Sequence, residues 1–283
     1  MRFNLDGVEF SGESGEYGLR VREFVPGGVD LRTQDEERAQ QDGILVGKDL
    51  LGGRLWTWDI SARGAGLDEV MAANARLERV WRDGARLQPG LVSALTYHMS
   101  GRWRRVYGRP RRYAGPTPDY LAISGVGYIV CDFRVTDPLH YDEDESSVVL
   151  TIVPATTGGL ESPLMAPLST VRSSAPRAGL VTNAGDAPTP LKVTFHGPIT
   201  DPWVRAAGLE VGLVGTLAYD REVTVDPLAG TITGLPAGVV VTRKTRLSGT
   251  LLQSGTTELT FGGTDSTGTA TATLAWRNAH TSI

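Results

Sequence analysis

The sequence predicts a mainly β chain of two domains that contains one α-helix. Thirty-five glycines and 16 prolines in 283 residues indicate many turns between short elements, which is typical of β proteins. Helical periodicity is confined to residues 67–81. The length exceeds that of an ordinary single domain and suits two domains that each bury a core of their own.

The N-terminal part of the chain carries the first strand signals. Apolar residues alternate with polar ones between Phe3 and Phe10, and the dipeptide Asp6-Gly7 among them is typical of a tight turn. Renewed alternation predicts another strand over Leu19–Val25. Strand signals return later in three runs that predict consecutive antiparallel strands, Leu91–Met99, Arg102–Tyr107 and Tyr120–Val135.

One amphipathic helix is predicted over Leu67–Trp81. Its apolar residues fall on one stripe, acidic side chains lie in its first turn, arginines lie in its last, and Gly84 can end it. A helix with a single apolar face among strands is expected to pack on a sheet and to contribute to its core.

A long polar segment, Pro26–Gly53, separates the first strands from the helix. It is longer than an ordinary connection inside a compact domain, which indicates a functional excursion or a partly disordered loop. Two apolar clusters favour an excursion that packs on another surface, because apolar side chains are costly to leave in water. The predicted contacts between subunits are the residues of these clusters, Ile44, Leu45, Val46, Leu50 and Leu51.

A domain boundary is predicted where the strand pattern stops, at Asp137-Pro138. The run His140–Glu145 that follows is too charged for a core, so we place an N-terminal domain at residues 1–141 and a C-terminal domain at 142–283. Carboxylates in this run could bind calcium. A solvated hinge is the preferred interpretation, because the run lacks the glycine of an EF-hand loop.

The C-terminal half is predicted to be all-β. Short strand signals begin with Val148–Val153 and, after a crossing rich in Pro, Gly and Ser at 154–179, continue to Ala270–Trp276. Turn signals such as Gly197-Pro198 separate them. About seven or eight short strands without a helical period predict a β-sandwich.

Residues that support catalysis or metal binding are sparse. The four histidines are scattered, and the single cysteine, Cys131, lies in an apolar run where a buried, inert thiol is expected. Gly12–Gly15 lacks the spacing of a nucleophile elbow, and Gly125-Val126-Gly127 lacks the third glycine of a dinucleotide loop. The sequence therefore predicts no enzyme, metal or cofactor. A carboxylate pair without a motif, such as Asp201 and Glu210, is the remaining route to a wall-degrading activity.

Charge is balanced over the whole chain but not locally. A net charge of -4 offers no general field for nucleic acid, and no stretch approaches the roughly 20 apolar residues of a membrane span. One basic stretch is interleaved with Trp103, Tyr107 and Tyr113, a pattern that binds phosphate, single-stranded nucleic acid or acidic protein surfaces. We interpret it as a surface facing a lumen or a partner, formed by Arg102, Arg104, Arg105, Arg109, Arg111 and Arg112.

A series of motifs is spread over nearly the whole chain. The series consists of Gln41-Asp42-Gly43, Gly53-Arg54-Leu55-Trp56, the predicted helix, Gly108-Arg109-Pro110-Arg111-Arg112, Phe133–Pro138, Asn183–Pro188 and Gly268–Arg277. In this order and spacing, the motifs resemble those of the siphophage distal tail protein (Dit) family.

The resemblance implies a fold and a structural role. The implied fold is an N-terminal β-sandwich with one α-helix and a protruding hairpin, followed by a galectin-like C-terminal β-sandwich. The implied role is a ring, commonly hexameric, at the distal tip of the tail of a virion assembled in the host cytoplasm. Such a ring joins the tail tube protein to the tail-associated hub protein of the baseplate and lets phage DNA pass, without catalysis or specific nucleic-acid binding.

Carbohydrate binding by the C-terminal domain is the alternative function. A galectin-like sandwich could serve as a host-adhesion module of the tail tip. Galectins that bind sugars have a His-x-Asn-x-Arg motif that is followed later in the chain by Trp-x-x-Glu-x-Arg. The tryptophan contexts here, Trp203-Val204-Arg205 and Trp276-Arg277, do not supply this pattern. The assembly role is therefore preferred.

Overall fold

The structure is a computed structural model that describes residues 1–13, 18–117, 125–154, 174–175, 177–265 and 267–283. The chain divides into two compact units: unit 1 is Met1–Glu143 with Thr281–Ile283, and unit 2 is Asp144–His280. Strands make up 53% of the structure and helices 9%, which confirms the mainly β class. Part of the Gly12–Gly15 turn, the start of the strand expected from Tyr120 and most of the 154–179 crossing lie outside the described residues.

Unit 1 contains the helix and the first 12 strands. In chain order its elements are β1 (Arg2–Leu5), β2 (Val8–Ser11), β3 (Leu19–Pro26), β4 (Leu31–Arg32), β5 (Glu36–Glu37), β6 (Ile44–Leu45), β7 (Leu50–Leu51), β8 (Arg54–Ala62), α1 (Leu67–Ala85), β9 (Ser93–Met99), β10 (Arg102–Ala114), β11 (Gly127–Val135) and β12 (His140–Asp142). The last three long strands match the runs predicted after the helix, and β10 continues beyond its predicted end at Tyr107.

Most of these strands form one sheet that closes on itself. The hydrogen-bonded order is β11-β8-β3-β2-β1-β9-β10, and β10 returns to pair with β11. Strand β12 pairs with the start of β10, at Arg104 and Arg105. A bulge between Pro110 and Tyr113 shifts the register of β10, and such bulges bend a strand. Strand β10 thus pairs with three strands, β9, β11 and β12.

Helix α1 packs its apolar stripe against this sheet. The ring of Trp81 lies 6.0 Å from that of Trp58, edge-on. The helix continues through Gly84 to Ala85, so the prediction that Gly84 ends it is wrong. Gly84 is buried against Pro110, and a Cβ built on it would lie only 2.7 Å from Pro110 Cγ. The glycine allows close packing of helix on strand.

Aromatic rings dominate the core of unit 1. Trp58 meets Phe3 and Phe10 edge-on at centroid distances of 5.4 and 5.7 Å. Such pairs contribute about 0.5–1.5 kcal/mol each beyond the burial of their area. Cys131 is fully buried in the same core, as predicted, and burial raises the pKa of its thiol well above the ordinary value. The thiol is therefore protonated and inert.

Unit 2 holds the remaining strands and one short 3-10 helix. In chain order its elements are β13 (Ser146–Thr151), β14 (Val153–Pro154), β15 (Ser174–Ala175), β16 (Arg177–Asn183), β17 (Thr189–Pro190), β18 (Lys192–His196), β19 (Ile199–Ala206), β20 (Leu209–Val214), β21 (Thr216–Leu217), β22 (Glu222–Asp226), β23 (Thr231–Thr233), β24 (Val240–Val241), the 3-10 helix (Leu247–Gly249), β25 (Leu251–Leu252), β26 (Gly255–Thr264), β27 (Thr271–Trp276) and β28 (Ala279–His280).

Two sheets of unit 2 share one core. The first has the order β13-β27-β18-β22-β23, and the second has the order β16-β26-β19-β20-β24 with β21 beside β19. The core contains residues of both sheets, and the rings of Phe195 on β18 and Phe261 on β26 lie 6.3 Å apart. This arrangement is the β-sandwich predicted for the C-terminal half.

The segment at the predicted boundary is more buried than expected. His140 and Tyr141 lie in β12 and are 0% and 2% exposed, while the acidic residues after them reach solvent. The prediction that His140–Glu145 is too charged for a core is therefore wrong at its first two residues. Burial of His140 is possible because Arg54 and Tyr97 provide hydrogen-bond partners.

Candidate assembly surfaces

The excursion at Pro26–Gly53 is a two-stranded ribbon. Strand β4 pairs with β7 near its base, and β5 pairs with β6 near its tip. Arg38 N donates to Gly43 O at 3.2 Å to close the tip, and the Asp35 carboxylate accepts a hydrogen bond of 3.0 Å from Gly47 N. This geometry agrees with the protruding hairpin that the resemblance implies.

The base of the ribbon is fixed to unit 1. Gly27 N donates to Leu55 O at 3.0 Å, and an added Cβ at Gly27 would lie 2.3 Å from the same oxygen. Only glycine permits this approach. Arg134 of β11 forms an ion pair of 3.2 Å with Asp30. These contacts determine where the ribbon leaves the sheet.

The ribbon exposes the apolar residues that the sequence analysis identifies. Val46 is 81% exposed, Ile44 59%, Leu51 58% and Leu45 53%, while Leu50 is half-buried. Burying such surface contributes about 25 cal/mol per Å². The described part of the chain leaves these side chains in water, so they form the first candidate assembly surface.

Three of the six arginines on β10 are bound within unit 1, namely Arg104, Arg105 and Arg109. Arg105 forms a two-point ion pair with Glu143, and its Nε donates to Oε2 at 2.8 Å. Arg104 donates from Nη1 to the carbonyl of Ser282 at 2.6 Å. Adjacent residues of a strand point to opposite faces, so these two arginines do not share a surface.

Arg109 connects β10 to the loop that follows α1. Its guanidinium donates to the carbonyl of Leu91 at 2.7 Å and to that of Gln88. Carbonyl partners orient the side chain but leave its full charge in place. The three other β10 arginines are exposed: Arg102, Arg111 and Arg112.

The aromatic residues between these arginines are mostly taken up by the fold. Tyr107 packs on Tyr141 with ring centroids 5.3 Å apart, and the hydroxyl of Tyr113 is hydrogen-bonded to helix α1. Burial raises the pKa of Tyr113. Trp103 is 42% exposed and contacts His98. Two of the three rings are therefore unavailable for stacking on bases, which favours a protein partner over single-stranded nucleic acid.

The residue that follows helix α1, Arg86, is a further arginine near β10 that the sequence pattern did not single out. Arg86, at the end of the helix, lies two residues before Gln88, whose carbonyl binds Arg109. Residues 76–112 contain ten arginines and two acidic residues, a net charge of +8 in a chain of net charge -4. A running sum of charge along the sequence would have revealed this. Arg111 and Arg112 lie in the bulge of β10 between Pro110 and Tyr113, where the alternation of faces is broken, so these two neighbours can share a face. We define the arginine surface as Arg86, Arg109, Arg111 and Arg112.

The tryptophans of unit 2 do not form a sugar platform. One side of the Trp203 indole lies on Gly262, whose added Cβ would be 2.4 Å from Trp203 Cζ2, and the guanidinium of Arg205 lies 4.1 Å from a ring centroid. Trp276 is buried and donates from Nε1 to Thr182 O. A cleft of about 740 Å³ beside Arg205 has no aromatic residue among its described lining.

The carboxylates considered for catalysis are used structurally. Asp201 accepts a hydrogen bond of 2.8 Å from Gly215 N. Glu210 pairs with Arg205 at 3.1 Å and with Lys244 at 3.4 Å. Within the described residues, no three His, Cys, Asp or Glu side chains are grouped to hold a metal ion. Neither carboxylate is placed as an unpaired acid or base in a cleft.

The comparison with solved structures bears on the whole chain. No protein-family model and no curated protein matches the sequence. The crystal structure of Dit from phage SPP1, presented as a paradigm of the hub adsorption apparatus of phages that infect Gram-positive bacteria, matches with a TM-score of 0.59 and 14% identity over 98% of both chains. The chain has the Dit fold.

Two structures of the phage P2 baseplate in its activated conformation also match. The one with Ca gives a TM-score of 0.53 and 10% identity over 97% of both chains. The one with Sr gives 0.54 and 10% over 97% of this chain and 96% of the other. At such identities the likeness is one of fold. The resemblance to the distal tail protein family is confirmed at that level, because the Dit fold extends over both units.

Proposed function

We propose that this chain is a structural virion protein of a phage tail tip that assembles into a ring, in hexameric form. The observation that carries the proposal is the Dit fold over nearly the full length of both units. The ribbon supports it, because exposed aliphatic side chains on a fixed base are suited to an oligomer interface. Head-to-tail contacts of this kind close into rings when the rotation permits.

The two domains have different roles in this proposal. Residues 1–141 form the ring, with Ile44, Leu45, Val46, Leu50 and Leu51 contacting the neighbouring subunit. Residues 142–283 form a galectin-like domain at the periphery. The ring joins the tail tube protein to the tail-associated hub protein at the distal tip, and phage DNA passes through its lumen. The exposed arginines of β10 face the lumen or a partner. No helix among the described residues is long and apolar enough to cross a membrane.

The proposed role involves no catalysis and no cofactor. Its support is that Asp201 and Glu210 are both occupied by hydrogen bonds or ion pairs. Host adhesion through sugar binding is not favoured, because Gly262 and Arg205 cover the indole of Trp203.

Electron microscopy and light scattering of the purified full chain test the ring. We expect closed rings and a particle mass that is a multiple of 30.3 kDa. The variant Ile44→Ser, Leu45→Ser, Val46→Ser should assemble only at higher concentration, because it removes apolar surface from the interface. Leu180→Ser, at a 71% exposed residue of unit 2, is the matched control and should assemble as the parent does. A parent that remains monomeric at high concentration contradicts the proposal.

A further inference from the structure

The ribbon is acidic as well as apolar. Residues 29–51 contain six acidic and three basic residues, a net charge of -3. At the tip, Glu36 is paired with Leu45, and Glu37 is paired with Ile44. Cross-strand partners share a face of a ribbon, so each face of the tip presents one carboxylate beside one exposed aliphatic side chain. Any surface that covers this tip must supply cations together with apolar contacts.

The arginine surface supplies both. Arg86 begins the loop after α1 and Arg109 is hydrogen-bonded to it, and in this loop Leu91 is 46% exposed and Val92 37%. Arg111 and Arg112 follow Arg109 on β10 and are exposed. Arg109 is held in this loop by the carbonyl of Leu91, so a fixed cation lies directly beside an exposed aliphatic side chain. The arginine surface therefore has the same mixture as the ribbon tip, with the opposite charge.

The two surfaces do not meet within one copy. The hydrogen bonds and ion pairs between the ribbon and the rest of unit 1 are at its base, as in the Asp30–Arg134 pair. Among the described residues, Glu36 and Glu37 form no ion pair, and both are exposed. An acidic, apolar surface and a basic, apolar surface on the same chain are therefore both left uncovered.

We infer that the ribbon tip of one copy docks on the arginine surface of a second copy. The inference rests on the proposed ring and names the surface that accepts the ribbon. The contact is heterologous, since the donor and acceptor patches differ, and repeated contacts of this kind form a ring. Complementary charge fixes the register of the contact, and the aliphatic side chains of both patches lose water.

Charge reversal tests this contact in the full chain. The ribbon variant is Glu36→Arg with Glu37→Arg, and the surface variant is Arg86→Glu with Arg111→Glu. Each variant alone brings like charges together, so we expect the concentration at half-assembly, measured by analytical ultracentrifugation, to rise by at least about tenfold. An equimolar mixture should regain assembly, because the basic ribbon of one variant then meets the acidic surface of the other.

The control for charge reversal is Asp220→Arg with Glu258→Arg, at exposed residues of unit 2. It changes the net charge as much as the ribbon variant does and should assemble like the parent. The recovery in the mixture also excludes misfolding as the cause of the loss, since two misfolded chains would not restore each other.

Cross-linking tests the contact independently. Leu45→Cys and Leu91→Cys chains, mixed and treated with a bismaleimide, should give covalent dimers that neither variant gives alone. Cys131 is buried and does not compete. Replacing Leu91→Cys by Leu180→Cys provides the control, and an equal dimer yield from that pair would overturn the inference.

The outcomes separate the inference from the proposed function. A monomeric parent overturns both. A parent that forms rings while both reversal variants assemble normally overturns only the docking surface and leaves the ring standing. Loss of assembly in each variant without recovery in the mixture also overturns the inference. Loss in each variant with recovery in the mixture supports it.

Discussion

Arg54 donates a hydrogen bond from Nη2 to Nε2 of His140, a fully buried imidazole in the core of unit 1. A guanidinium only donates, so Nε2 must accept, and the ring proton lies on Nδ1, which is 2.7 Å from the hydroxyl oxygen of Tyr97. Burial lowers the pKa of Arg54 and raises that of Tyr97 to about 12. The network therefore holds a charged arginine, a neutral imidazole and a neutral phenol at neutral pH.

Replacing His140 should destabilise unit 1. His140→Phe keeps a ring beside Trp56 but removes the hydrogen bonds of the imidazole to Arg54 and Tyr97. The buried guanidinium and the buried hydroxyl then each lose a hydrogen-bond partner. We expect the free energy of unfolding to fall by about 2–3 kcal/mol, measured by urea denaturation of the full chain. The control is His98→Phe, at a half-buried histidine, which should change it far less. Equal effects of the two substitutions contradict the role given to the network.

Gly84→Ala should also destabilise unit 1, against helix propensity. Alanine favours a helix interior by about 0.8–1.0 kcal/mol over glycine. Here its Cβ would lie 2.7 Å from Pro110 Cγ, and overpacking typically costs about 1–3 kcal/mol. We expect a lower melting temperature. The reverse change at an exposed helix position, Ala75→Gly, measures the propensity alone, and a stabilised Gly84→Ala protein would show that the packing is looser than described.

Asp265 should make the stability of unit 2 depend on acid pH. Burial would raise the pKa of this carboxylate, but hydrogen bonds from Ala270 N at 2.9 Å and from Thr267 N and Oγ1 at 2.7 Å outweigh burial and lower it below 3.8. A lowered folded-state pKa means that the unfolded state binds more protons. The stabilisation is therefore present above the ordinary aspartate pKa and is lost as pH falls through the folded-state value.

The measurement is urea unfolding of the parent and of Asp265→Asn at pH 7 and near pH 3. We expect Asp265→Asn to be less stable than the parent at pH 7, and the difference to shrink in acid. Asp220→Asn, at an exposed aspartate, controls for the loss of a surface charge. A difference that stays constant with pH would remove Asp265 as the cause.

Unit 2 should show no affinity for simple galactosides. A sugar site needs a free aromatic face and fixed polar groups around it, whereas Gly262 and Arg205 cover the Trp203 indole. A glycan-array screen of the full chain should give no specific signal, and Trp203→Ala should not change that result. Specific binding abolished by Trp203→Ala would make host adhesion the leading function of this domain.

The sequence pattern predicts the start of helix α1 correctly but not its end. One apolar stripe predicts α1 with its first residue at Leu67, because side chains three and four residues apart share a helical face. The pattern does not predict the end at Ala85, because a glycine such as Gly84 can either end a helix or allow the helix to pack closely on a strand. Its close contact with Pro110 comes from a strand distant in sequence, which local patterns do not reveal.

The candidate surfaces were predicted only in part. The apolar clusters of the ribbon stand out because they interrupt a polar segment, and most of their side chains are exposed. Their contact with a neighbouring subunit stays a prediction. The arginines of β10 were expected to act as one surface. Strand alternation and pairing divide them instead: Arg105 pairs with Glu143, while Arg104 reaches the carbonyl of Ser282.

The sequence by itself determined the class of fold, the single helix, the buried thiol of Cys131 and the apolar clusters of the ribbon, because each depends on composition or on the period of neighbouring residues. Only the tertiary structure decided that His140 is a core residue, that Arg205 covers Trp203 and that Arg109 binds the loop that follows Arg86. These relationships depend on which strands and loops pack together, since burial, hydrogen bonding and charge act between residues far apart in the chain.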